Sequence, residues 1–235
     1  MVLFVIGSKG LAETRSKRVV KYTQCRIVSG IDSLTIDAGN VIKTKSDLYL
    51  ITHLHEDHIA KFHTIPIGSN VWVPDNSFIS RLSRKNPDVR FRVARPRSSH
   101  KFGRFLITPF EVQHSATTKT YGYRIEAEGI SLVWLPDYRN LLGVSQFLNN
   151  LDYLFIGASA LRKDIIHRDH KIHGQMAIIN SLGFLKMRRL KFNRIFLIHY
   201  GIGLSPILIK TEFVNKQFPE YEVLPTWDKK IIKLT

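Results

Sequence analysis

The chain has 235 residues, of which 44% are hydrophobic, and this is enough to bury a globular core. No apolar run reaches the ~20 residues of a membrane-spanning helix, and the lone Cys25 excludes an internal disulfide. Lys and Arg total 35 against 19 Asp and Glu, giving a net charge of +16, which attracts polyanions. We therefore expect one cytoplasmic domain over residues 1–235 that does not bind membranes.

Short apolar runs in the first half of the chain predict strands separated by turns. Residues 25–28 and 34–36 flank a polar turn and predict a hairpin. Asp75 precedes a run that ends at Leu82 and is a candidate cap for a short helix. Other strands are predicted at residues 2–6, at 48–51 and within 65–73.

The second half alternates strands with helical patterns, which is typical of an α/β fold. Strands are predicted at residues 105–112, 121–125, 130–135, 153–156, 195–198, 221–223 and 231–234. Helices are predicted at residues 141–148 and 206–213. A third helix follows residue 175, where Met176, Ile179, Leu182 and Leu185 repeat at intervals of three.

Residues 52–58 read ThrHisLeuHisGluAspHis and follow directly on the uncharged run at 48–51. His53 and His55 lie two positions apart, so that their side chains can converge on one metal ion. Asp57 and His58 are adjacent and point elsewhere, which favours a second ion nearby. Imidazole and carboxylate ligands without thiolate suit Zn, Mn or Fe and argue against a purely structural zinc site. The alternative is a solvated histidine-rich turn.

Five residues with ligand chemistry lie within a residue or two of the carboxyl end of a predicted strand. They are Asp37, His53, His114, Asp137 and His199. Taken singly, each could be a buried polar residue or a turn residue. Because loops at strand ends are where active sites usually form, the five together predict one shell around a pair of ions.

A basic strip runs from Arg81 to Arg104 and contains nine Lys or Arg residues against Asp88 alone. Within it, apolar side chains alternate with arginines, which predicts an edge strand with one face turned inward. Four arginines are candidates for nucleic-acid contacts. They are Arg90, Arg92, Arg95 and Arg97. The alternative is an edge strand that charge protects from aggregation.

The motif at residues 52–58, with Asp37 before it and His114, Asp137 and His199 after it, resembles the metallo-β-lactamase superfamily. The resemblance implies a four-layer αββα sandwich with two divalent metal ions, Zn, Mn or Fe, at one edge. It also implies ligands. His53, His55 and His114 would hold the first ion, and Asp57, His58 and His199 the second. Asp137 would bridge the ions, and Asp37 would orient the histidine motif from outside the ligand shell.

Two further features resemble the phosphodiesterase branch of that superfamily, which includes ribonuclease Z and the cyclic phosphodiesterase of phosphonate breakdown. One is IleGlySerLysGly at residues 6–10 followed by Arg18, and the other is His173 ahead of a helix. The resemblance implies that His173 contacts the scissile phosphate or assists the leaving group. Without it, His173 would be read as a surface residue at a helix start.

The resemblance implies hydrolysis of a phosphodiester in RNA, DNA or a nucleotide, with Asp57, Asp137 and His173 as catalytic residues. A water held between two ions can be deprotonated near neutral pH and directed at phosphorus. A small cyclic phosphodiester of the phosphoribosyl type and a thioester or lactam remain alternative substrates. A homodimer is expected from the resemblance alone.

Overall fold

The computed structural model describes residues 1–8, 22–115, 118–167, 173–201 and 211–235, and within these the side chains of residues 165–167, 173 and 174 lie outside the description. The described part contains two seven-stranded mixed sheets and one short hairpin. Residues 9 and 10 of the IleGlySerLysGly segment, the basic stretch at residues 15–21 and His170 lie outside the described residues.

The first sheet is formed mainly by the amino-terminal half of the chain. In spatial order its strands are β16 (Ile231–Lys233), β1 (Val2–Gly7), β2 (Gln24–Ser29), β3 (Asp32–Ile36), β4 (Leu48–Leu50), β5 (Asn70–Val73) and β6 (Arg90–Val93). β2 and β3 pair antiparallel as the predicted hairpin, whereas β3, β4, β5 and β6 are parallel.

The second sheet continues with the carboxyl-terminal half. In spatial order its strands are β15 (Val223–Pro225), β14 (Arg194–Ile198), β11 (Tyr153–Gly157), β10 (Ile130–Leu135), β9 (Thr120–Ala127), β8 (Phe105–Val112) and β7 (His100–Phe102). β8 and β9 pair antiparallel, as do β9 and β10, whereas β10, β11, β14 and β15 are parallel. β12 (Ile165–His167) and β13 (His173–Gln175) form the separate hairpin.

Three apolar clusters explain why the sheets stack and why helices cover them. One cluster joins the facing sides of the two sheets and contains Trp134, Phe155 and Phe196. A second packs α3 (Ile178–Met187) and α4 (Thr211–Gln217) on the outside of the second sheet, and a third packs α1 (Glu56–Ile59) and α2 (Asn76–Leu82) on the outside of the first. The order helix, sheet, sheet, helix confirms the predicted αββα sandwich.

The predicted helix pattern is confirmed in part. α3 buries Leu182 and Leu185 against the second sheet, as its apolar repeat predicts, and the Asp75 carboxylate accepts a hydrogen bond from the Ser77 amide and caps α2. The prediction of an α-helix at residues 141–148 was wrong. The segment consists of turns and one 3₁₀ turn, Ser145–Phe147, and its apolar side chains still pack into the core. Of the predicted helix at 206–213, residues 206–210 lie outside the described part, and α4 runs from Thr211 to Gln217.

None of the described helices is long and apolar enough to span a lipid bilayer. The longest helix in the secondary structure of the described chain, α3, has ten residues, against the ~20 that a bilayer requires.

β6 is an edge strand of the first sheet, as the alternating basic pattern predicts. Phe91 and Val93 pack against the outer cluster, so Arg90 and Arg92 lie on the opposite side of the strand. The Arg92 guanidinium lies 5.0 Å from the centre of the buried Trp72 ring. Arg92 therefore covers the open edge of the core between the sheets, which is a structural contact in addition to any role in binding.

Replacing Arg92 by alanine should lower the free energy of unfolding by about 0.5–1 kcal/mol, the value typical of an exposed cation–π contact. Arg90→Ala is the matched control, because Arg90 lies on the same exposed side of β6. Chemical denaturation of both variants measures the difference. Equal stability of the two variants would show that the Arg92–Trp72 contact contributes nothing.

Candidate metal centre

The residues singled out at strand ends lie together because their strands run in the same direction. β3 and β4 are parallel, and β8, β10 and β14 share one direction in the second sheet. Their carboxyl ends therefore meet at one edge of the sandwich. Asp37 follows β3, His53 follows β4, and His114, Asp137 and His199 follow β8, β10 and β14.

The Asp37 carboxylate organises the loop that carries the histidine motif. Its Oδ1 accepts a hydrogen bond from the Thr52 amide at 2.8 Å, and the Thr52 hydroxyl donates to the same carboxylate at 2.9–3.0 Å. Its Oδ2 lies 2.7 Å from His58 Nδ1. This bond fixes which His58 nitrogen points outward, so Nε2 is directed toward the centre. Asp37 thus contacts both ends of the motif from outside the ligand sets, which is the position that the family resemblance implies for it.

The second sheet holds the same loop from the other side. The Tyr123 hydroxyl donates to the Ile51 carbonyl at 2.8 Å, and the Tyr121 amide donates to the Thr52 carbonyl at 3.0 Å. Both tyrosines lie on β9. The loop is therefore fixed by strands of both sheets, which is what a rigid ligand set requires.

Three groups of side chains bring their ligand atoms within 4.8 Å of one another. They are His53, His55 and His114; Asp57, His58 and His199; and His53, His58 and Asp137. The first two groups have the same members as the two ligand sets that the family resemblance implies, and the third contains a residue from each set with Asp137. The structure therefore brings together all seven predicted ligands.

Asp137 lies between the two ligand sets. Its Oδ2 is 2.6 Å from His199 Nε2, 2.9 Å from His58 Nε2 and 3.8 Å from His53 Nε2. Burial alone would raise its pKa, but the His199 and His114 imidazoles beside it hold the pKa well below its ordinary value. Asp137 is therefore an anion that faces both sets at once.

The histidines differ in protonation because their surroundings differ. Burial, and then the neighbouring His58, lowers the pKa of His53 well below its ordinary value, and burial and His114 lower that of His55 to about 4. Burial also opposes the charged form of His58, but the Asp37 and Asp57 carboxylates overcome it and raise the pKa. His53 and His55 are thus neutral near pH 7 and available as metal ligands.

This centre fits divalent metal ions. Asp37, Asp57 and Asp137 are all buried, and within the described part of the chain the ion-pair partners of Asp37 and Asp137 are histidines rather than Lys or Arg. The buried His53 Nε2 has no hydrogen-bond partner among the described residues. Buried carboxylates need compensating positive charge, and an imidazole lone pair directed at them completes a nitrogen and oxygen donor set suited to Zn, Mn or Fe.

Cys25 takes no part in the clusters of possible metal ligands found among the described residues. It lies buried on β2, as the sequence predicts, and burial raises the pKa of its thiol well above the ordinary value. A thiol that remains protonated is a poor ligand and nucleophile.

Backbone constraints act at three positions around the centre. Asp37 and His199 both have positive φ, 62° and 53°, a conformation that costs non-glycine residues free energy and is concentrated at functional sites. At Gly157, a Cβ would lie 1.9 Å from the Pro136 carbonyl oxygen. The absence of a side chain at Gly157 therefore allows β11 to pass directly beside the turn that presents Asp137.

Three residues at the centre were not assigned a role from the sequence. The Thr52 hydroxyl contacts His53 Nδ1 at 3.1 Å, and the Thr23 hydroxyl lies 3.3 Å from His199 Nδ1. The Gln175 side-chain amide donates a hydrogen bond to Asp137 Oδ1. Thr52 adjoins the motif, and Gln175 lies two residues after His173, so nearness to a motif was the one available signal for these two.

His173 and the four candidate arginines of the basic strip are the remaining predicted site residues, and they lie outside the three groups of metal ligands. His173 lies on β13, three residues before the Met176 amide that bonds to the Tyr138 carbonyl, but its side chain is outside the description. Its predicted contact with a phosphate is therefore untested. Arg90, Arg92 and Arg95 are exposed on or just after β6, and Arg97 is exposed in the following turn. No observed contact with nucleic acid tests their predicted role.

Comparison with known proteins identifies the family. Residues 38–200 match the family model described as a beta-lactamase superfamily domain. No curated protein sequence matches the chain.

Solved structures share the fold along nearly the whole chain. The metallo-beta-lactamase fold protein YhfI from Bacillus subtilis is 17% identical with a TM-score of 0.75, covering 99% of both chains. A diphosphatase from the PhnP family is 20% identical with a TM-score of 0.70, covering 100% of this chain and 98% of its own. The short form of human tRNase Z is 14% identical with a TM-score of 0.67, covering 100% of both chains. At these identities the likeness shows the fold alone.

Asp37→Asn should weaken metal binding about 10–100-fold, the usual loss when a group that orients a ligand is changed. The new amide would place a donor against either the Thr52 amide or His58 Nδ1, both of which now meet a carboxylate oxygen. Competition with a chelator of known affinity measures the change. Asp32→Asn is the control, because Asp32 lies at the other end of the strand that Asp37 follows and is paired with Arg104. An equal affinity in both variants would contradict the role of Asp37.

Gln175→Leu should lower the free energy of unfolding of chelator-treated protein by about 1–3 kcal/mol, because the buried Asp137 carboxylate loses a hydrogen-bond donor. Urea denaturation measures the change. Gln217→Leu, at the exposed carboxyl end of α4, is the matched control. If both variants lose the same stability, the Gln175–Asp137 contact does not support the centre.

Proposed function

The chain belongs to the beta-lactamase superfamily and is a metallo-β-lactamase-fold hydrolase, and we propose that it cleaves a phosphodiester bond of a nucleic acid or nucleotide with two divalent metal ions. Fold alone does not determine a substrate. The proposal is therefore argued from the centre and from the charge around it.

The observation that carries the proposal is the position of Asp137 between two ligand sets. One carboxylate oxygen lies 2.6 Å from His199 Nε2 and 3.8 Å from His53 Nε2, so a single residue faces both groups. A shared carboxylate of this kind is expected when two ions act on one substrate. His53, His55 and His114 would hold one ion, and Asp57, His58 and His199 the other.

When bound, such a pair of ions would supply a water deprotonated near neutral pH and would offset negative charge developing on phosphoryl oxygens. The residues of the chain orient this chemistry. Asp137 fixes the separation of the two ligand sets, and Gln175 holds the Asp137 carboxylate through its amide. We assign His173 to the leaving oxygen, to which it would donate a proton or a hydrogen bond.

Charge and similarity favour a phosphodiester over other substrates. The net charge of +16 attracts polyanions in solution. Two of the similar solved structures are a PhnP-family diphosphatase and human tRNase Z, and both names denote phosphate chemistry. A nucleic acid or nucleotide in the cytoplasm is accordingly the proposed substrate.

A small cyclic phosphodiester of the phosphoribosyl type is the second candidate. The motif resemblance favours it, because the branch that His173 and residues 6–10 resemble includes a cyclic phosphodiesterase. A thioester or lactam remains a third candidate that the metal ligands alone would permit.

The metal-loaded protein should hydrolyse bis(p-nitrophenyl) phosphate. Asp137→Ala should abolish turnover, since it removes the carboxylate that faces both ligand sets. His173→Ala should reduce the cleavage of a dinucleotide about 10²–10⁴-fold, the usual contribution of a general acid, because the leaving alkoxide there needs a proton that p-nitrophenolate does not. Release of p-nitrophenol measures the first rate, and chromatography of the released nucleotide measures the second. The matched control is His63→Ala, which removes an exposed histidine.

Single- and double-stranded RNA and DNA assayed beside the small diester identify the substrate class. Cleavage of a polynucleotide supports the proposal. Turnover of the small diester with every polynucleotide intact would favour the cyclic phosphodiester. No turnover of any diester by protein with two bound metals would refute the phosphodiesterase assignment and leave thioesters and lactams to be tested.

A further inference from the structure

A cavity of about 780 Å³ opens beside the metal centre, and His114 forms part of its wall. Its other walls come from the turn after β6, the carboxyl end of β8, the start of β9, the segment after β10 and the amino-terminal end of α2. Because one metal-ligand histidine is shared, a molecule bound at the centre would extend directly into this space. None of the proposed catalytic residues lines this cavity, so the proposed function does not yet give the cavity a role.

Three cations and two carboxylates line the cavity. Lys119 is already paired with Asp75 at 3.9 Å, and Glu111 is the second carboxylate. Arg97 and Arg139 are the other two cations, and no described carboxylate forms a salt bridge with either of them. The cavity therefore holds two guanidinium groups with spare hydrogen-bonding capacity.

The Arg139 guanidinium is positioned by a neutral side chain, so its positive charge is not offset. Its Nη2 donates to the Gln113 side-chain carbonyl oxygen at 3.5 Å, and the Asn140 amide donates to that same oxygen at 2.6 Å. A neutral partner of this kind orients a guanidinium and leaves its charge intact. Arg97 has a φ of 64°, and its amide bonds to the Pro109 carbonyl, so the turn that presents it is tied to β8.

We propose that this cavity binds a second, non-scissile phosphate group of the substrate through Arg97 and Arg139. The planar guanidinium matches the geometry of phosphate oxygens and keeps its charge at any physiological pH. The proposal rests on the proposed phosphodiesterase activity and makes it more specific, because it requires a substrate with a further phosphate near the bond that is cleaved. It also separates Arg97 from the rest of the basic strip.

Such a phosphate can belong to a polynucleotide strand or to a small phosphorylated nucleotide, and the chemistry at the two arginines is the same. The apolar side of the cavity, formed by Val112, Leu142 and Val144, is open to either. Leu142 is 65% exposed, so a sugar or base attached to the phosphate could cover it.

Calorimetric binding to the metal-loaded protein tests the site without needing turnover. Adenosine 3′,5′-bisphosphate should bind about tenfold or more tightly than AMP to the wild type, since charged hydrogen bonds are added. The double variant Arg97→Gln/Arg139→Gln should lose that advantage and keep its affinity for AMP. Arg84→Gln, which removes an exposed arginine that does not line the cavity, should behave as wild type.

Kinetics distinguish the two sources of the phosphate. The double variant should raise the KM for the dinucleotide pTpT about tenfold and leave the hydrolysis of bis(p-nitrophenyl) phosphate within twofold of wild type. If the wild-type KM continues to fall from pTpT to an octanucleotide, the phosphate belongs to a strand. If it does not fall, the phosphate belongs to a small nucleotide.

Equal binding of AMP and the bisphosphate by the wild type would overturn the proposal even if diesters are cleaved. Equal losses on both diesters in a folded double variant would also overturn it, because the arginines would then support the metal centre itself. If the protein prefers the bisphosphate but cleaves no diester, the phosphate-binding site is supported and only the proposed function is refuted.

Discussion

The Asp37 carboxylate is the contact on which the centre depends. It accepts hydrogen bonds from the Thr52 amide, the Thr52 hydroxyl and His58 Nδ1, so one side chain fixes both the start and the end of the histidine motif. The fold supplies the reason for its position, since β3 and β4 are parallel neighbours and their carboxyl ends lie side by side. Sheet topology thus places one buried anion, and that anion sets the conformation of the loop and the direction of His58.

Burial strengthens the ion pair between Asp37 and His58, and it also makes the buried carboxylates costly in free energy. Asp37, Asp57 and Asp137 lie inside the protein, where an uncompensated carboxylate is expensive and an ion pair is poorly screened. Protonated His58 compensates part of the charge, as the direction of its pKa indicates. Metal ions at the same place would compensate more of it, which links metal binding to the stability of the fold.

The sequence predicted most of the sandwich because local pattern and tertiary structure agree there. β8 matches the predicted strand at 105–112 end for end, and the αββα order followed from the resemblance. The prediction of a helix at 141–148 was wrong because the apolar residues there, among them Leu141 and Leu148, reach the core from turns. The spacing of apolar residues alone cannot distinguish a helix from a series of turns that buries the same residues. Gln175 and Arg139 carry no motif of their own, and their positions depend on contacts between segments distant in the chain, which no local pattern encodes.

The close passage of β11 beside Pro136 has a consequence for how relatives of this protein should be recognised. A Cβ at Gly157 would collide with the Pro136 carbonyl, and one at Gly39 would lie 2.3 Å from the Asp57 carbonyl. Neither glycine has a side chain that could bind a metal, yet each allows the backbone to approach a ligand-bearing segment closely. A search profile weighted on histidines and aspartates alone would therefore accept chains that cannot assemble the centre, and including these two glycines would reject them.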